Sequence, residues 1–172
     1  MKKFKVRGFT LIELMITVAI IALLSAIAYP AYTSSILKGK RAQGRTALVE
    51  LIQLQERYFT ERNCYLGFTT ASSGVATPSA PSPVAACGGV TSATVPFKTF
   101  SGENLANSAY LLSADVCPTT SSSLSIAECV RVIATPIGAD NAVGALSITT
   151  TGTKACVPPA SGITPTFSLC WP

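Results

Sequence analysis

An apolar run that carries a single charge dominates the N-terminal part of the chain. From Phe9 to Tyr29 (FTLIELMITVAIIALLSAIAY) the only charged side chain is that of Glu13. About 20 apolar residues is the length that a helix needs to cross a bilayer. A carboxylate at the centre of such a helix costs about 2.5 to 3.5 kcal/mol on insertion scales, so it needs a partner or a position near the water. The run therefore predicts a membrane segment whose one charge has a specific role.

The residues that flank the run indicate its orientation and two possible fates. Four of the 13 basic residues lie in the first eight positions, which favours an N-terminus in the cytoplasm. One interpretation is a secretory signal peptide that is cleaved after the Ala26 to Ala28 site, so that the mature chain begins at Tyr29. The length of the run and its carboxylate favour a retained anchor instead.

A second helical pattern follows Pro30, a residue that removes one backbone hydrogen bond from a helix and favours a kink. Gly39 and Gly44 weaken the first turns of this pattern by roughly 1 kcal/mol each relative to alanine. The spacing predicts one helix from Phe9 to Arg62 with an amphipathic second half. The apolar positions of that half are Ala47, Leu48, Leu51, Ile52, Leu54, Tyr58 and Phe59.

The remainder of the chain is predicted to be a loop followed by a strand meander. Residues 67–98 are rich in Ser, Thr, Ala, Gly and Pro and are predicted to form a long loop. Three apolar runs of strand length, 109–116, 129–136 and 144–151, are separated by turn-forming residues. The last segment, TFSLCWP (166–172), suggests a short edge strand.

Composition limits the chemistry that the chain can perform. It contains no histidine, which removes the commonest general base and the usual zinc patterns, and its acidic residues form no obvious pair. We therefore expect no enzymatic activity, no cofactor and no metal. Six cysteines in an exported chain predict disulfides, with 15 possible connectivities. They are Cys64, Cys87, Cys117, Cys129, Cys156 and Cys170.

Two side-chain clusters fit a binding surface, but in both cases a purely structural role is preferred. The basic cluster Lys38, Lys40, Arg41 and Arg45 fits phosphate contact, but a solvated helix face just outside the membrane is preferred. Beyond residue 62 the charges are sparse and balanced, which is a poor footprint for DNA. The aromatic residues Tyr58, Phe59, Tyr65 and Phe68 are predicted to be core, where the helix meets the sheet, rather than a stacking path.

The N-terminal third resembles a known family. The heptapeptide Gly8-Phe9-Thr10-Leu11-Ile12-Glu13-Leu14, after a short basic leader, resembles the processing site of type IV prepilins. The segment that continues through Glu56-Arg57-Tyr58-Phe59 resembles the long helix of those subunits. YPAY followed by QERYF is most similar to PilE-type minor pilins, and somewhat similar to the related DNA-uptake pilins.

The resemblance implies an α+β pilin fold, with a long N-terminal helix packed on an antiparallel sheet of three or four strands and stapled by disulfides. The implied segments are the leader 1–8, the transmembrane and assembly half of the helix 9–32, the amphipathic half 33–62 and the globular head 63–172. Within the head it implies the long loop 67–98, the β-meander 109–151 and a C-terminal disulfide loop 152–172.

The resemblance also implies a role for each motif residue. A membrane peptidase would cut between Gly8 and Phe9 and methylate the new amine of Phe9. Glu13 would then pair with the Phe9 amine of a neighbouring subunit, because an unpaired buried charge disfavours a wrong stagger. The alternative is that Glu13 reaches the membrane interface by helix tilt. Pro30 would permit bending of the helix during assembly.

For the cysteines, sequential pairing is preferred on the family's layout: Cys64 with Cys87, Cys117 with Cys129, and Cys156 with Cys170. The last pair would close the C-terminal loop, as in many pilins. The alternative is that Cys87 reaches a cysteine of the strand meander.

The implied function is that of a structural subunit of a type IV pilus. The implied partners are other pilin subunits, the prepilin peptidase and assembly platform, and the inner membrane before assembly; the assembled filament is extracellular. Three alternatives stay open: a DNA-uptake or adhesion pilin at the pilus tip, a type II secretion pseudopilin, and a disulfide-rich periplasmic protein released after Ala28. DNA is a candidate partner that the charge distribution does not favour.

Overall fold

The computed structural model describes residues 9–89, 91–119, 122–138, 140, 142–158, 162 and 164–172. The chain divides into two compact units, Met1–Gly39 and Lys40–Pro172, and the first of these is described from residue 9 onward. The predicted leader, including Gly8, lies outside the described residues.

One helix, α1, occupies Leu11–Arg62, within two residues of the predicted start and at the predicted end. It begins after Thr10, whose hydroxyl oxygen accepts a hydrogen bond from the backbone amide of Glu13 (3.3 Å), as an N-cap residue does. It ends at Asn63, whose φ of 52° is left-handed and whose amide donates to the carbonyl of Phe59 (2.7 Å). Pro30 lies inside α1, and the helix continues on both sides of it.

Six antiparallel strands form one sheet in the order β2-β1-β3-β4-β5-β6. Their bounds are β1 Phe68–Thr70, β2 Ala76–Pro78, β3 Tyr110–Val116, β4 Val130–Pro136, β5 Ala145–Thr149 and β6 Lys154–Val157. Each of the three predicted strand runs contains one of the strands β3 to β5, and these three are neighbours in chain order. The predicted α+β architecture with a central meander is confirmed.

Two predictions about the sheet are wrong. It has six strands rather than three or four, because β1 and β2 form a hairpin inside the predicted loop 67–98 and β6 follows the meander. A strand of three residues shows almost no alternation, so sequence spacing could not reveal this hairpin. The predicted edge strand at 166–172 is instead a short helix, α2, at Phe167–Cys170. Two 3₁₀ turns, Ala86–Gly89 and Leu105–Asn107, complete the described elements.

The hydrophobic core of the second unit lies between α1 and one face of the sheet. Strands β3 and β4 share the same burial alternation, so every second side chain faces the helix. From the helix, Leu48 and Leu51 are fully buried, whereas Leu54 of the predicted apolar face is 39% exposed. The largest sheet residues in this core are Phe68, Tyr110, Leu112, Val130, Val132 and Leu146.

A buried amide joins the end of α1 to the start of the sheet. The Gln55 side chain donates to the carbonyl of Leu66 (2.7 Å) and accepts from its amide (3.0 Å). The side chain of Gln55 thus satisfies both backbone groups of a buried residue, which would otherwise cost about 1 to 3 kcal/mol each. This contact orients the chain as it leaves the helix and enters β1.

Candidate functional site

The N-terminal part of α1, residues 11–29, is apolar except for Glu13 and a few small polar side chains, and all of its residues are exposed. An 18-residue window of α1 near the N-terminus has a mean hydropathy of 2.6 and no buried residue. Large side chains along it are exposed, among them Phe9 (70%) and Ile27 (70%). A helix this apolar requires a nonaqueous environment, either lipid or other apolar helices.

At the start of this helix, Phe9, Thr10 and Glu13 lie together. Thr10 caps the first turn through the Glu13 amide, and Glu13 is the acidic residue of that turn. A carboxylate in the first turn is stabilised by the positive end of the helix dipole. Of the predicted processing and assembly residues, Phe9 lies just before α1, Glu13 lies in its first turn, Pro30 lies further along the same helix, and Gly8 lies outside the described residues.

The six cysteines form three disulfides in three different parts of the second unit. Cys64 is bonded to Cys87 and Cys117 to Cys129, each with a Cα–Cα distance of 5.6 Å, and Cys156 is bonded to Cys170 at 6.0 Å. These are the sequential pairs, and Cys87 does not reach the meander. The first ties the long connection to the end of α1, the second closes the β3–β4 connection, and the third holds α2 against β6.

A buried ion pair anchors the beginning of the helix in the second unit. Arg41 donates from Nε to Oδ2 of Asp140 (2.7 Å) and from Nη2 to Oδ1 (2.9 Å), and both residues are 7% exposed. The hydrogen bonds that Arg41 donates to Asp140 raise the pKa of Arg41, outweighing the opposing effect of burial. Such a bidentate pair fixes both the distance and the orientation of its two elements.

Two tyrosines of the core have raised pKa values. Burial, and secondarily the nearby charge of Asp140, raises the pKa of Tyr110 to about 12. Burial, followed by the hydrogen bond from its hydroxyl to Oε1 of Glu56 (2.9 Å), raises the pKa of Tyr65. Both groups are therefore neutral phenols at physiological pH. An activated nucleophile would have a lowered pKa, so the raised values indicate a structural role for these two side chains.

The predicted basic helix face is only partly exposed, and for two of its members the prediction is wrong. Arg41 is buried against Asp140, and Arg45 is half-buried and donates to the carbonyl of Cys170 (2.9 Å). Lys38 and Lys40 are exposed as expected. The sequence could not distinguish the two pairs because the partners of the arginines lie 99 and 125 residues away.

The last two turns of α1 carry the most distinctive exposed surface in the described part of the second unit. We call it the Tyr58 surface; it comprises Leu54, Arg57, Tyr58, Glu61, Arg62, Pro96 and Phe97, and it borders a shallow depression of about 240 Å³. The Arg62 guanidinium lies 5.7 Å from the centre of the Tyr58 ring. Tyr58 in turn meets Phe97 edge to face, with ring centres 5.7 Å apart.

A second, more enclosed cavity lies on the other side of Tyr58. Its volume is about 130 Å³, and we call it the loop cavity because residues of the 79–92 connection close one side of it. The predicted core role of the aromatics holds fully for Phe68 and Tyr65, which are buried, and in part for Phe59, which is half-buried against the core, whereas Tyr58 is half-buried at the edge of this cavity. The lining of the loop cavity includes Tyr58, Arg62, Leu66, Ser79, Ser92, Ile126 and the Cys64–Cys87 disulfide.

Comparison with known families agrees with this architecture. Residues 30–143, more than half of the chain, match the family described as type IV minor pilin ComP, DNA uptake sequence receptor. The chain belongs to the ComP family of type IV minor pilins. Residues 3–29 match the prokaryotic N-terminal methylation motif, which includes the apolar helix and Glu13. The resemblance to minor pilins read from the sequence is confirmed.

Several curated relatives share part of this pilin. The type IV major pilin protein PilA of Myxococcus xanthus (strain DK1622) is 45% identical over 62 residues, which are 36% of this chain and 28% of the relative. The type IV major fimbrial protein FimA of Dichelobacter nodosus is 41% identical over 73 residues, 38% of this chain and 45% of the relative. Fimbrial protein Q of Moraxella bovis is 53% identical over 49 residues, 24% and 31% respectively. The chain thus covers less than half the length of each.

Three structural residues of this pilin were missed by sequence reasoning. Thr10 could have been found, because Thr-x-x-Glu before an apolar run is the pattern of a capping box. The burial of Gln55 and Asp140 leaves no such local signal. Their partners are brought to them only when the sheet packs on the helix.

Proposed function

We propose that the chain is a minor subunit of a type IV pilus, made as an inner-membrane precursor and assembled into an extracellular filament. One observation carries the proposal: residues 11–29 form an exposed apolar helical segment with one carboxylate near its start. Lipid can cover this helix before assembly, and the same helices of other subunits can cover it afterwards. The membership of the chain in a minor pilin family supports this function.

Maturation would create the partner that Glu13 needs. Hydrolysis of the peptide bond between Gly8 and Phe9 by the prepilin peptidase would release the leader and expose the Phe9 amine, which the peptidase would then methylate. The methylated amine keeps its positive charge. It would lie four residues before Glu13 in the same chain, just ahead of the first turn of α1, where it could pair with the Glu13 carboxylate of a neighbouring copy in a bundle.

The charge pair would specify how subunits stagger. Burial of apolar side chains drives the helices together but is non-directional, so it accepts many axial positions. A carboxylate or an ammonium that is left unpaired in an apolar bundle is strongly disfavoured, so only staggers that pair Glu13 with a Phe9 amine survive. We assign these two residues the assembly function, with extraction by the assembly platform as the step that they guide.

The test is Glu13→Ala, with Glu50→Ala as the matched control because Glu50 is an exposed carboxylate on the same helix outside the apolar segment. The Glu13 variant should still insert into the membrane and lose its leader, yet its amount in sheared filaments should fall by about tenfold or more. Immunoblots of membrane and filament fractions measure both. Normal incorporation of the Glu13 variant would refute the pairing role.

Cleavage after Gly8 has its own test. Gly8→Asp should block processing, and the precursor should keep its lower mobility on a gel. N-terminal sequencing of the wild-type protein should begin at methylated Phe9. A chain that begins at Tyr29 would mean that residues 1–28 are an export signal, and the pilus function would be overturned with it.

DNA capture is the second candidate function. The matching family is described as a DNA uptake sequence receptor, and the Tyr58 surface places Arg57 and Arg62 beside a half-buried aromatic ring. Arginine and aromatic side chains together suit phosphate contact and base stacking. The second unit has nearly balanced charge, so this local surface, and not a global field, would have to attract DNA.

For DNA capture, the test is the double variant Arg57→Gln/Arg62→Gln, with Lys154→Gln as a control that removes a cation from β6. Binding of labelled DNA to the full chain in non-ionic detergent should be measured over a range of salt concentrations. If both arginines contact phosphates, the double variant should reduce the slope of log affinity against log salt by about 1.4 to 1.8. Affinity and slope equal to those of the lysine control would reject this surface. In cells that carry the double variant, pili should still form, but DNA uptake should be lost.

A further inference from the structure

The loop cavity has the size and the walls of a site for a single flat ring. Its volume of about 130 Å³ is well below the roughly 300 to 1,000 Å³ of pockets for drug-sized ligands. Leu66, Ile126 and the Cys64–Cys87 disulfide supply apolar surface, and Tyr58 supplies an aromatic wall. A larger ligand could enter only in part.

Hydroxyl groups at the cavity can serve the polar edge of such a ring. Ser79 and Ser92 both line it. The Ser92 hydroxyl donates to the carbonyl of Thr94 (2.9 Å), which leaves its oxygen free to accept. The Ser79 hydroxyl makes no hydrogen bond to the residues that the structure describes, so it can both donate and accept.

Positive charge lies at the entrance. Arg62 lines the cavity and packs over Tyr58, and among the described residues it makes no ion pair. Arg57 lies five residues earlier on the same helix, at the neighbouring depression rather than at the cavity, with 80% of its side chain exposed and only a long contact of 3.7 Å to Glu61. A ligand whose ring enters the cavity while its anionic backbone stays outside would satisfy both features.

We propose that the loop cavity accepts one unstacked nucleobase of bound DNA, so that the chain prefers single-stranded or frayed DNA to a closed duplex. This inference rests on the DNA-capture function proposed above. In a closed duplex both faces of each base are covered by its neighbours, and extruding one carries a free-energy cost that single strands avoid. Stacking on an aromatic side chain is tolerant of sequence, so the cavity would add affinity without defining a particular base.

The experiment compares three probes on the full chain in non-ionic detergent by fluorescence anisotropy. They are a thymidine strand of about 12 nucleotides, the same strand with every base removed, and a duplex closed at both ends. The two single strands carry the same phosphates and differ only in their bases. We expect the thymidine strand to bind about tenfold more tightly than either other probe.

A cavity-filling variant tests the location. Ser79→Phe places a ring in the loop cavity, and Ser73→Phe adds the same side chain at an exposed hairpin position outside it. The Ser79 variant should lose about tenfold in affinity for the thymidine strand, whereas the Ser73 variant should bind like wild type. Ser79→Leu is a smaller filling that should act in the same direction, and thermal melting identifies a variant that has failed to fold.

Each outcome distinguishes the two proposals. Tight binding of the thymidine strand that depends on Ser79 supports the base site. Equal binding of all three probes, with dependence on Arg57 and Arg62, overturns the base site but leaves DNA capture standing. Absence of binding to every probe overturns DNA capture and the base site together.

Discussion

Arg41 and Asp140 form a buried ion pair, a contact that is favourable only when its geometry is good. Both are 7% exposed, and removing two charges from water costs several kcal/mol per ion, which their attraction offsets only when the geometry is good. The bidentate arrangement meets that condition. The pair therefore contributes little net stability as a unit, but each member depends strongly on the other.

This dependence predicts an asymmetric response to substitution. Arg41→Met should destabilise the protein by about 3 to 5 kcal/mol because it leaves the Asp140 carboxylate buried without its partner. The melting temperature should fall by about 10 °C, whereas Arg57→Met at the exposed pair with Glu61 should change it by at most a few degrees.

The double variant Arg41→Met/Asp140→Leu completes the test. Replacing both charges with apolar groups should recover most of the lost stability. Calorimetry of the wild type, Arg41→Met, Asp140→Leu and the double variant in one detergent gives the coupling between the two positions. If the double variant is no better than the single one, the pair acts through some contact other than its charges.

Within α1, two glycines that look alike in the sequence have different surroundings. A Cβ atom added at Gly39 would have open space around it. One added at Gly44 would lie 2.9 Å from Cδ2 of Tyr110, whose ring is buried in the core. Gly44 therefore permits the close approach of helix and strand β3, whereas Gly39 is simply an exposed helical position that lacks a side chain.

Alanine substitutions should separate these roles. Gly39→Ala should favour the helix by up to about 1 kcal/mol and raise or preserve the melting temperature. Gly44→Ala should lower it, because displacing the Tyr110 ring in a packed core costs about 1 to 3 kcal/mol and exceeds the gain in helix propensity. Circular dichroism melts of both variants measure the difference, and equal stabilisation by both would disprove the packing role of Gly44.

For the protein as a whole, the three disulfides compensate for a second unit with long connections. The cysteines of each bridge are 12 to 23 positions apart in the sequence. A crosslink of this size stabilises a fold by about 2 to 4 kcal/mol, mainly by restricting the unfolded chain. The family's extracellular, oxidising destination is consistent with their use.

Reduction should therefore weaken the entire second unit. Treatment with a reductant should lower the melting temperature of the full chain by about 10 °C or more, since at least one bridge is worth about 2 to 4 kcal/mol and the three act on different loops. Thermal melts with and without reductant measure this, and mass spectrometry after thiol labelling verifies reduction. A fully reduced protein with an unchanged melt would contradict the stabilising role of the bridges.

Features that depend on neighbours along the chain were predictable. The apolar first half of α1 was recognised from its length and hydropathy, its second half from the helical spacing of apolar residues, and the runs that became β3 to β5 from their length and the turn-forming residues between them. The motif around Glu13 was also recognisable from the sequence, because its residue types and their spacing are all local. Whether Glu13 pairs with the Phe9 amine of another subunit is a question about the filament, and there the prediction stands as a proposal.

Features that depend on distant residues were not predictable in this way. The burial of Arg41, the role of Gly44 and the loop cavity beside Tyr58 all arise where the sheet and its connections pack on the helix. Their partners are tens of residues away or more, as the separation of 99 between Arg41 and Asp140 illustrates. Periodicity records which side of an element faces inward, but it carries no information about which side chain meets it there. Those pairings appear only once the chain has closed its long-range contacts.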